Sequence, residues 1–409
     1  MEYYLVGGAV RDRLLQLPVK DRDWVVVGAT PDEMARSGYR QVGTDFPVFL
    51  HPESHEEYAL ARTERKSGRG YQGFVCDFSP HITLEEDLLR RDLTINAIAE
   101  TPDGTLIDPY GGTNDLNDKV LRHVSPAFSE DPLRVLRVAR FAARFSALGF
   151  EIAPETLALM KAITDSGELA NLTPERAWQE TEKALLTDHP SVYFMALRQV
   201  GALHIIMPEL DALFGVPQTM RFHPEVDTGM HTMMALDAAA TLTDRLDVRF
   251  AVLCHDFGKG RTESQDLPSH HGHEHGGVKL VDAACKRLKV SKRLHQLARL
   301  TAEWHTHCHR VADLKPMTVL KVLEAFRALQ DGTQLEGFVL ACKADARGRS
   351  GYEQLAYEQA DWLLHAREAA VTVSTAPLVE KGLHGPALGE ALRKERASAI
   401  SKTLAPLRQ

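Results

Sequence analysis

Cysteine is scarce in this chain: five in 409 residues, at positions 76, 254, 285, 308 and 342, with no CxxC pair among them. An odd, scattered set argues against a disulfide framework or a structural zinc site and for a reducing compartment, the cytoplasm. Long apolar runs are also missing; none approaches the roughly 18 residues of a membrane span. The opening MEYYLVGGAV lacks the basic segment of a secretory signal, so no membrane partner is expected. Positive charge is in deficit, since 56 Asp and Glu outnumber 48 Lys and Arg for a formal net charge of −8. Any contact with nucleic acid must therefore use local basic patches rather than the whole surface. There is no internal repeat, no low-complexity tract and no long flexible linker. What remains is an ordinary globular composition, 44% hydrophobic and 25% charged, in a length that predicts about two to four domains.

Strand signals concentrate before about residue 125, at Tyr4–Val6, Trp24–Val27, Val48–His51, Tyr58–Arg62 and Leu106–Asp108. From Ser129 onward the periodicity is helical almost throughout. The architecture expected is an α/β head followed by a long all-helical body. Segment 62–84, glycine-rich, basic and aromatic, reads as a mobile loop rather than a packed element.

Three motifs in the head carry chemistry. In the first, an apolar strand runs into Gly7-Gly8, Arg11 follows in a helical pattern, and a second strand carries Asp21 and Asp23. Residues two apart in a strand share a face, and two carboxylates so placed can hold hard divalent cations beside a phosphate. Paired glycines admit backbone N–H groups to a triphosphate, whose charge Arg11 can meet. Glu57 is a candidate third carboxylate, or simply an exposed strand residue. In the second motif, Arg90-Arg91-Asp92-Leu93-Thr94-Ile95-Asn96 places two arginines at the start of a helix-like segment. The helix dipole disfavours cations there unless an anion is bound. In the third, Glu130-Asp131-Pro132 opens a helix in which Arg134, Arg137, Arg140 and Arg144 form one stripe. Cytosine and adenine share an exocyclic amino donor beside a ring-nitrogen acceptor. A carboxylate and a guanidinium, Asp131 and Arg134, match both bases and would leave buried groups unpaired against uracil or guanine.

The body carries a separate signal. His231, the pair His255-Asp256 and the distant Asp345 can converge from several helices on one divalent metal. Gly258 and Lys259 suit a turn and a phosphate contact, and His270-His271-Gly272-His273 strengthens the pattern. His305, His307 and His309 do not all share one helical face, which leaves a surface role open. Cys254 reads as core.

The segments LVGGAVRD, DRD, RRDLTINA, DPYGG and EDPLRVLRVARFAARF, in that order, resemble the bacterial CCA-adding enzymes, class II tRNA nucleotidyltransferases that share their head with poly(A) polymerases. The block with His231, His255-Asp256 and Asp345 resembles the HD phosphohydrolase domain appended to them in one branch of bacteria. The resemblance implies an α+β protein: a polymerase-beta-like nucleotidyltransferase head over 1–125, and a helical neck and body over 126–220 for nucleotide selection and tRNA binding. An HD domain over 221–350 and a helical tail over 351–409 would follow. It further implies that Asp21 and Asp23 bind Mg²⁺, that Gly8, Arg11 and Arg91 hold the triphosphate, and that Arg137 and Arg140 line the nucleotide site. CTP, ATP and tRNA would be the partners of a monomer or homodimer, with nickel or another divalent transition metal in the HD domain. Poly(A) polymerase, an enzyme adding only A or only CC, and a tRNA-binding protein with a degenerate head are the alternatives.

Overall fold

The computed structural model describes residues 1–42, 48–66, 74–220 and 223–408. The chain divides into two compact units, Met1–Thr181 with Val192–Ile206, and Glu182–Ser191 with Met207–Gln409.

The first unit is built on short, β-branched and aromatic strands. They are β1 (Glu2–Val6), β2 (Asp23–Val27), β3 (Arg40–Gln41), β4 (Val48–Leu50), β5 (Glu57–Leu60), β6 (Thr63–Lys66), β7 (Phe74–Asp77), β8 (Ala99–Glu100) and β9 (Leu106–Ile107). Among the described residues, seven of them form a mixed sheet in the order β3-β4-β5-β2-β1-β8-β9. The β2–β5 pair is parallel and the others antiparallel. Alternation along DWVVV explains why β2 is central: Val25 packs with Val6, Leu84 and Leu88, while Val26 packs with Met34, Phe49 and Leu60. Both faces are thus covered, as a central strand requires. Trp24 stacks on Tyr58 at 5.5 Å and donates its indole N–H to Glu56.

Four expectations change. Asp21 precedes β2, which begins at Asp23, so the two carboxylates are not successive members of one strand face. Much of segment 62–84 is regular: β6 and β7 form an antiparallel hairpin, although residues 67–73 lie outside the described residues. Strand pairing also continues past Ser129, where Glu151–Ile152 runs parallel to Val120–Leu121. Finally, Arg90 and Arg91 do not open a helix. They close one, α2 (Leu84–Leu89), which follows α1 (Gly8–Leu14) and begins with a capping box of Thr83 and Glu86. Cations are favourable at that C-terminal end, so the dipole gives no argument for a bound anion.

The first unit continues with α3 (Leu133–Phe145) and with α4 (Pro174–Leu185) as far as Thr181. In the second unit, α5 (Thr228–Leu242), α6 (Leu246–Cys254), α7 (His273–Leu288), α8 (Lys292–His309) and α9 (Thr333–Arg347) form the bundle of interest. Helix α6, buried from Asp247 to Cys254, is its centre, touching α5, α8 and α9. Arg249, 1% exposed, is the one charge in the apolar run of α6 that follows Asp247. Its guanidinium donates to the carbonyls of Leu185 and Thr187 at 2.8 and 2.7 Å and of Thr243 and Ala240 at 2.8 and 3.2 Å. Those carbonyls lose their donor in Arg249→Met. We expect a cost of about 3 kcal/mol or more and a fall of about 6–12 °C in melting temperature, measured by calorimetry against wild type. An unchanged transition would show that the carbonyls find water instead.

Candidate active sites

The sheet, the segment after α2, and α3 enclose a cavity of about 600 Å³ in the first unit. Nine arginines line it against four carboxylates, Asp23, Glu57, Asp92 and Asp131. In a chain of net charge −8, this is the local basic patch that composition alone hid. Gly8, Arg11, Arg91, Arg134, Arg137 and Arg140 all belong to it, as do Asp23 and Asp131. Asp21 faces a neighbouring space of about 590 Å³, which it shares with Asp23 and Glu57.

Eight of these arginines, at 11, 90, 91, 134, 137, 140, 144 and 176, are held by carboxylates, carbonyls or a side-chain amide that fix their direction. The arginine stripe of α3 is not a solvated face. Arg137 Nε donates to Asp92 Oδ2 at 2.7 Å, Arg140 Nε to Glu180 Oε2 at 2.5 Å, and Arg144 to Asp12 at 2.8 Å. Arg134 donates to the carbonyls of Ala127 at 2.8 Å and Arg90 at 2.5 Å. Asp131 caps α3 through the Leu133 N–H at 3.1 Å and accepts from Arg176 at 2.8 Å. Both members of the expected base-reading pair are thus oriented by third parties, and Arg176, on α4, was not singled out by the sequence. Arg11 is 3% exposed, bonds Asp12 and Asn96, and lies over the rings of Phe141 and Phe145. Arg90 and Arg91 share the fully buried Asp87, at 2.6 and 3.2 Å.

Gly7 makes this arrangement possible. Its φ of +67° suits glycine, and a Cβ there would stand 2.8 Å from an Arg91 nitrogen. Burial raises the Asp23 pKa, Arg91 opposes the rise and Asp21 adds to it. Asp23 and Glu57 are register partners across the β2–β5 pair. Even so, the three-donor clusters found among the described residues all lie in the second unit, and Asp21, Asp23 and Glu57 do not form one. Two carboxylates with phosphate oxygens and water are a normal Mg²⁺ environment, so the donor chemistry fits.

In the second unit the four expected residues converge. His231 Nε2 lies 3.0 Å from Asp345 Oδ1, and His255 Nε2 lies 3.8 Å from Asp345 Oδ2 and 3.2 Å from Asp256 Oδ2. All four are at most 4% exposed. His231 Nδ1 is 3.1 Å from the Gly348 carbonyl and His255 Nδ1 2.6 Å from that of Val252, which aims both Nε2 atoms inward. His255 Nε2 and Asp256 Oδ1 are buried without a hydrogen bond, while Asp256 Oδ2 is paired with Lys259 Nζ. Such orphans fit a metal. Burial would lower the His255 pKa, but the adjacent Asp256 and Asp345 carboxylates push it up to about 9.

Gly258 lets the turn after Asp256 lie against α7, since a Cβ would sit 1.9 Å from the His273 carbonyl. Lys259 reaches back to Asp256 at 2.7 Å and to Gln218 at 2.6 Å. His305 and His309, one helical turn apart, both face the site: His305 Nε2 is 3.5 Å from Asp256 and His309 Nε2 2.7 Å from Asp345. His307 instead meets the Trp304 ring edge-on at 4.7 Å. Tyr357, at the edge of the segment given no chemistry, bonds His309 Nδ1 at 2.7 Å. Cys254 is fully buried core.

The comparisons with known proteins agree with this division of labour. Family models match the poly A polymerase head domain over residues 3–122, the probable RNA and SrmB-binding site of polymerase A over 149–214, and the HD domain over 228–346. The class is therefore a polymerase-head nucleotidyltransferase joined to an HD domain. A multifunctional CCA protein from Hahella chejuensis is 58% identical over 402 residues, covering 98% of this chain and 95% of that one. This chain belongs to the multifunctional CCA protein family. The fold matches a CCA-adding enzyme in apo form with TM-score 0.67 and 20% identity, over 99% of this chain and 92% of that one. It also matches a Thermotoga maritima CCA-adding enzyme complexed with tRNA, with TM-score 0.62 and 20% identity, over 99% and 91%. No helix among the described residues is long and apolar enough to cross a membrane.

Asp92 ties the cavity together, accepting from Arg137, Asn96 at 2.9 Å and the Leu93 N–H at 2.8 Å. Burial alone would raise its pKa, yet Arg137 and the Asn96 bond hold it well below the carboxylate range. A depressed pKa stabilises the fold above the unfolded value of about 3.9, and that stability is lost as pH falls toward the folded value. We expect Asp92→Asn to destabilise the first unit by about 3–5 kcal/mol at pH 7. The gap to wild type should narrow below about pH 4, followed by thermal unfolding at both pH values. An equal gap at both would remove the charge from the explanation.

Proposed function

We propose that this chain adds the terminal C, C and A to tRNA without a nucleic-acid template, consuming CTP and ATP and releasing pyrophosphate. The observation that carries the reading is the nine-arginine cavity with Asp23 at its edge. A triphosphate is the ligand whose charge such a lining matches. Gly8 and Arg91 would hold it beside the sheet edge, with Arg11 contributing buried positive charge from below. Arg137 and Arg140 would flank the nucleotide. Asp131 would accept from the exocyclic amino group of the base and Arg134 would donate to its ring nitrogen. The contacts from Arg176, Ala127 and Arg90 keep that pair in place before the nucleotide arrives. Asp21 and Asp23 would hold Mg²⁺, which when bound supplies charge to activate the tRNA 3′-hydroxyl and to neutralise the departing pyrophosphate.

His231, His255, Asp256 and Asp345 would hold nickel or another divalent transition metal, which supplies an activated water and charge for phosphate-ester hydrolysis. The substrates of this second site would be 2′,3′-cyclic phosphates, 2′-nucleotides and phosphomonoesters, as in repair of damaged tRNA ends. Segments 1–125, 126–220, 221–350 and 351–409 serve respectively as head, selection and tRNA-binding body, HD domain and tail in this reading. The cytoplasm, where tRNA matures, is the matching location.

The test is incorporation of labelled CTP and ATP, separately and together, onto tRNA lacking its 3′ terminus. Two C residues and then one A are expected, with Asp21→Ala and Asp23→Ala each lowering the rate by on the order of 10³-fold. Long A tracts would replace the reading with poly(A) polymerase, and A added only to ends already carrying CC would make it an A-adding enzyme. Incorporation that persists in both alanine variants would remove the carboxylates from the chemistry.

A further inference from the structure

Gln218 belongs to no motif, yet it is 3% exposed beside the second site. The backbone fixes its place. Pro217 bridges to Asp227, the N-cap of α5, and the Gln218 N–H donates to the Val226 carbonyl at 2.7 Å. Chemistry fixes the direction of its side chain. Lys259 Nζ can only donate, so the amide atom 2.6 Å from it must be the oxygen Oε1. The amide nitrogen Nε2 then points away from Lys259, and it is buried with no acceptor among the described residues. Arg349 presents the same deficit. Its Nε is buried with no acceptor among the described residues, and a terminal guanidinium nitrogen lies 3.7 Å from Asp345 Oδ1. Buried donors left in this state cost free energy until an acceptor arrives.

Contacts run from one orphan donor to the other through the residues that would hold the metal. Lys259 links Gln218 to Asp256 Oδ2 at 2.7 Å, and that oxygen lies 3.2 Å from His255 Nε2. His255 Nε2 is 3.8 Å from Asp345 Oδ2, on the carboxylate that Arg349 approaches. The two donors therefore flank the centre. They also share a neighbour, His223, whose ring stands 4.6 Å from His231. Burial and His231 lower the His223 pKa most, and Lys259 and Arg349 lower it further, to about 3. Both cations thus act on one corner of the site. A phosphate ester bound to a metal through one oxygen keeps other non-bridging oxygens, which need donors where water is excluded. We propose that Gln218 Nε2 and the Arg349 guanidinium clamp those oxygens, and are the phosphate-binding residues of the second site. The inference rests on reading that site as a metal-dependent phosphohydrolase. With the metal neutralising Asp256 and Asp345, the amide and the guanidinium offer pre-oriented donors of the kind that bind phosphate well.

Binding of inorganic phosphate beside a paramagnetic metal tests the clamp directly. The full chain is loaded with Co²⁺ under excess Mg²⁺, which occupies the head carboxylates, and retained cobalt is counted by mass spectrometry. Only phosphate next to cobalt has its phosphorus-31 resonance broadened, so phosphate in the arginine cavity does not interfere. Gln218→Glu keeps an oxygen for Lys259 and replaces the donor by an acceptor, and Arg349→Gln removes the charge. Each variant should keep the cobalt of wild type but need about tenfold more phosphate, or beyond, for half-maximal broadening, the loss expected for one hydrogen bond to a charged group. The Michaelis constant for 2′-AMP hydrolysis should rise in parallel. The Arg349 side chain is 20% exposed, so its variant keeps the test available should Gln218→Glu fail to fold, which circular dichroism melting reports. Wild-type phosphate affinity in both variants would overturn the clamp and leave the metal site standing; in one variant alone, it would strike that residue from it. Cobalt lost from a variant would make that residue a support of the metal ligands instead. Wild type that retains no cobalt would overturn the metal reading together with the clamp.

Discussion

Nine guanidiniums around one cavity of about 600 Å³ repel one another, and eight of them are answered by fixed acceptors. The central links run through Asp92. It takes Arg137 and Asn96; Asn96 takes Arg11; Arg11 bonds Asp12; and Asp12 takes Arg144. A chain of this kind joins the start of α1, the segment after α2 and the whole exposed edge of α3. Buried pairs of this sort rarely add net stability over apolar packing. What they secure is direction: guanidiniums that cannot collapse onto one another or swing out to water keep a positive field inside the cavity. Pre-oriented charge of this kind is most useful where negative charge must be bound and then redistributed during reaction.

The second unit solves the opposite problem. There the buried centre is rich in carboxylates and lone pairs, with Asp256 and Asp345 each at most 4% exposed and surrounded by imidazoles. Helix α6 can deliver His255 and Asp256 into that interior because it is buried along its length from Asp247 to Cys254. The carbonyls of Gly348, Val252, His270 and Thr301 then orient the rings. Electron-rich groups gathered in this way favour a soft or borderline cation, just as the arginine cavity favours an anion.

Much of this was legible in the sequence, for a physical reason. Motifs local in the chain, such as Gly7-Gly8 and the arginine stripe of α3, are visible because helix and strand periods fix which neighbours share a face, whereas the Asp21 and Asp23 pair is not set by a strand period, since Asp21 precedes the strand. What the periods could not show was what each face meets. The stripe names a face, and only the fold shows Asp92, Glu180 and Asp12 opposite it, 45, 40 and 132 residues away in sequence. The arginines at 90 and 91 end a helix rather than open one, because the capping box of Thr83 and Glu86 starts that helix upstream of them. His305 and His309 were obscured by His307 between them, although the spacing of four residues puts the outer two on one face. Their meeting with His273 is long-range and leaves no local signal. Arg249 is the hardest case. A lone arginine in LDVRFAVLC looks like an interruption of an apolar helix, and only the four carbonyls around it explain why it is there.

The overall charge illustrates why totals mislead. A net charge of −8 weighs against handling nucleic acid only if charge is spread evenly, and here it is sorted. Basic groups line a concave site where low-dielectric walls strengthen their field. The acidic excess elsewhere opposes indiscriminate adhesion to polyanions, which a uniformly basic chain would suffer. An enzyme that must grip a triphosphate firmly and release a long polyanionic product after three additions is better served by such sorting than by a high overall positive charge.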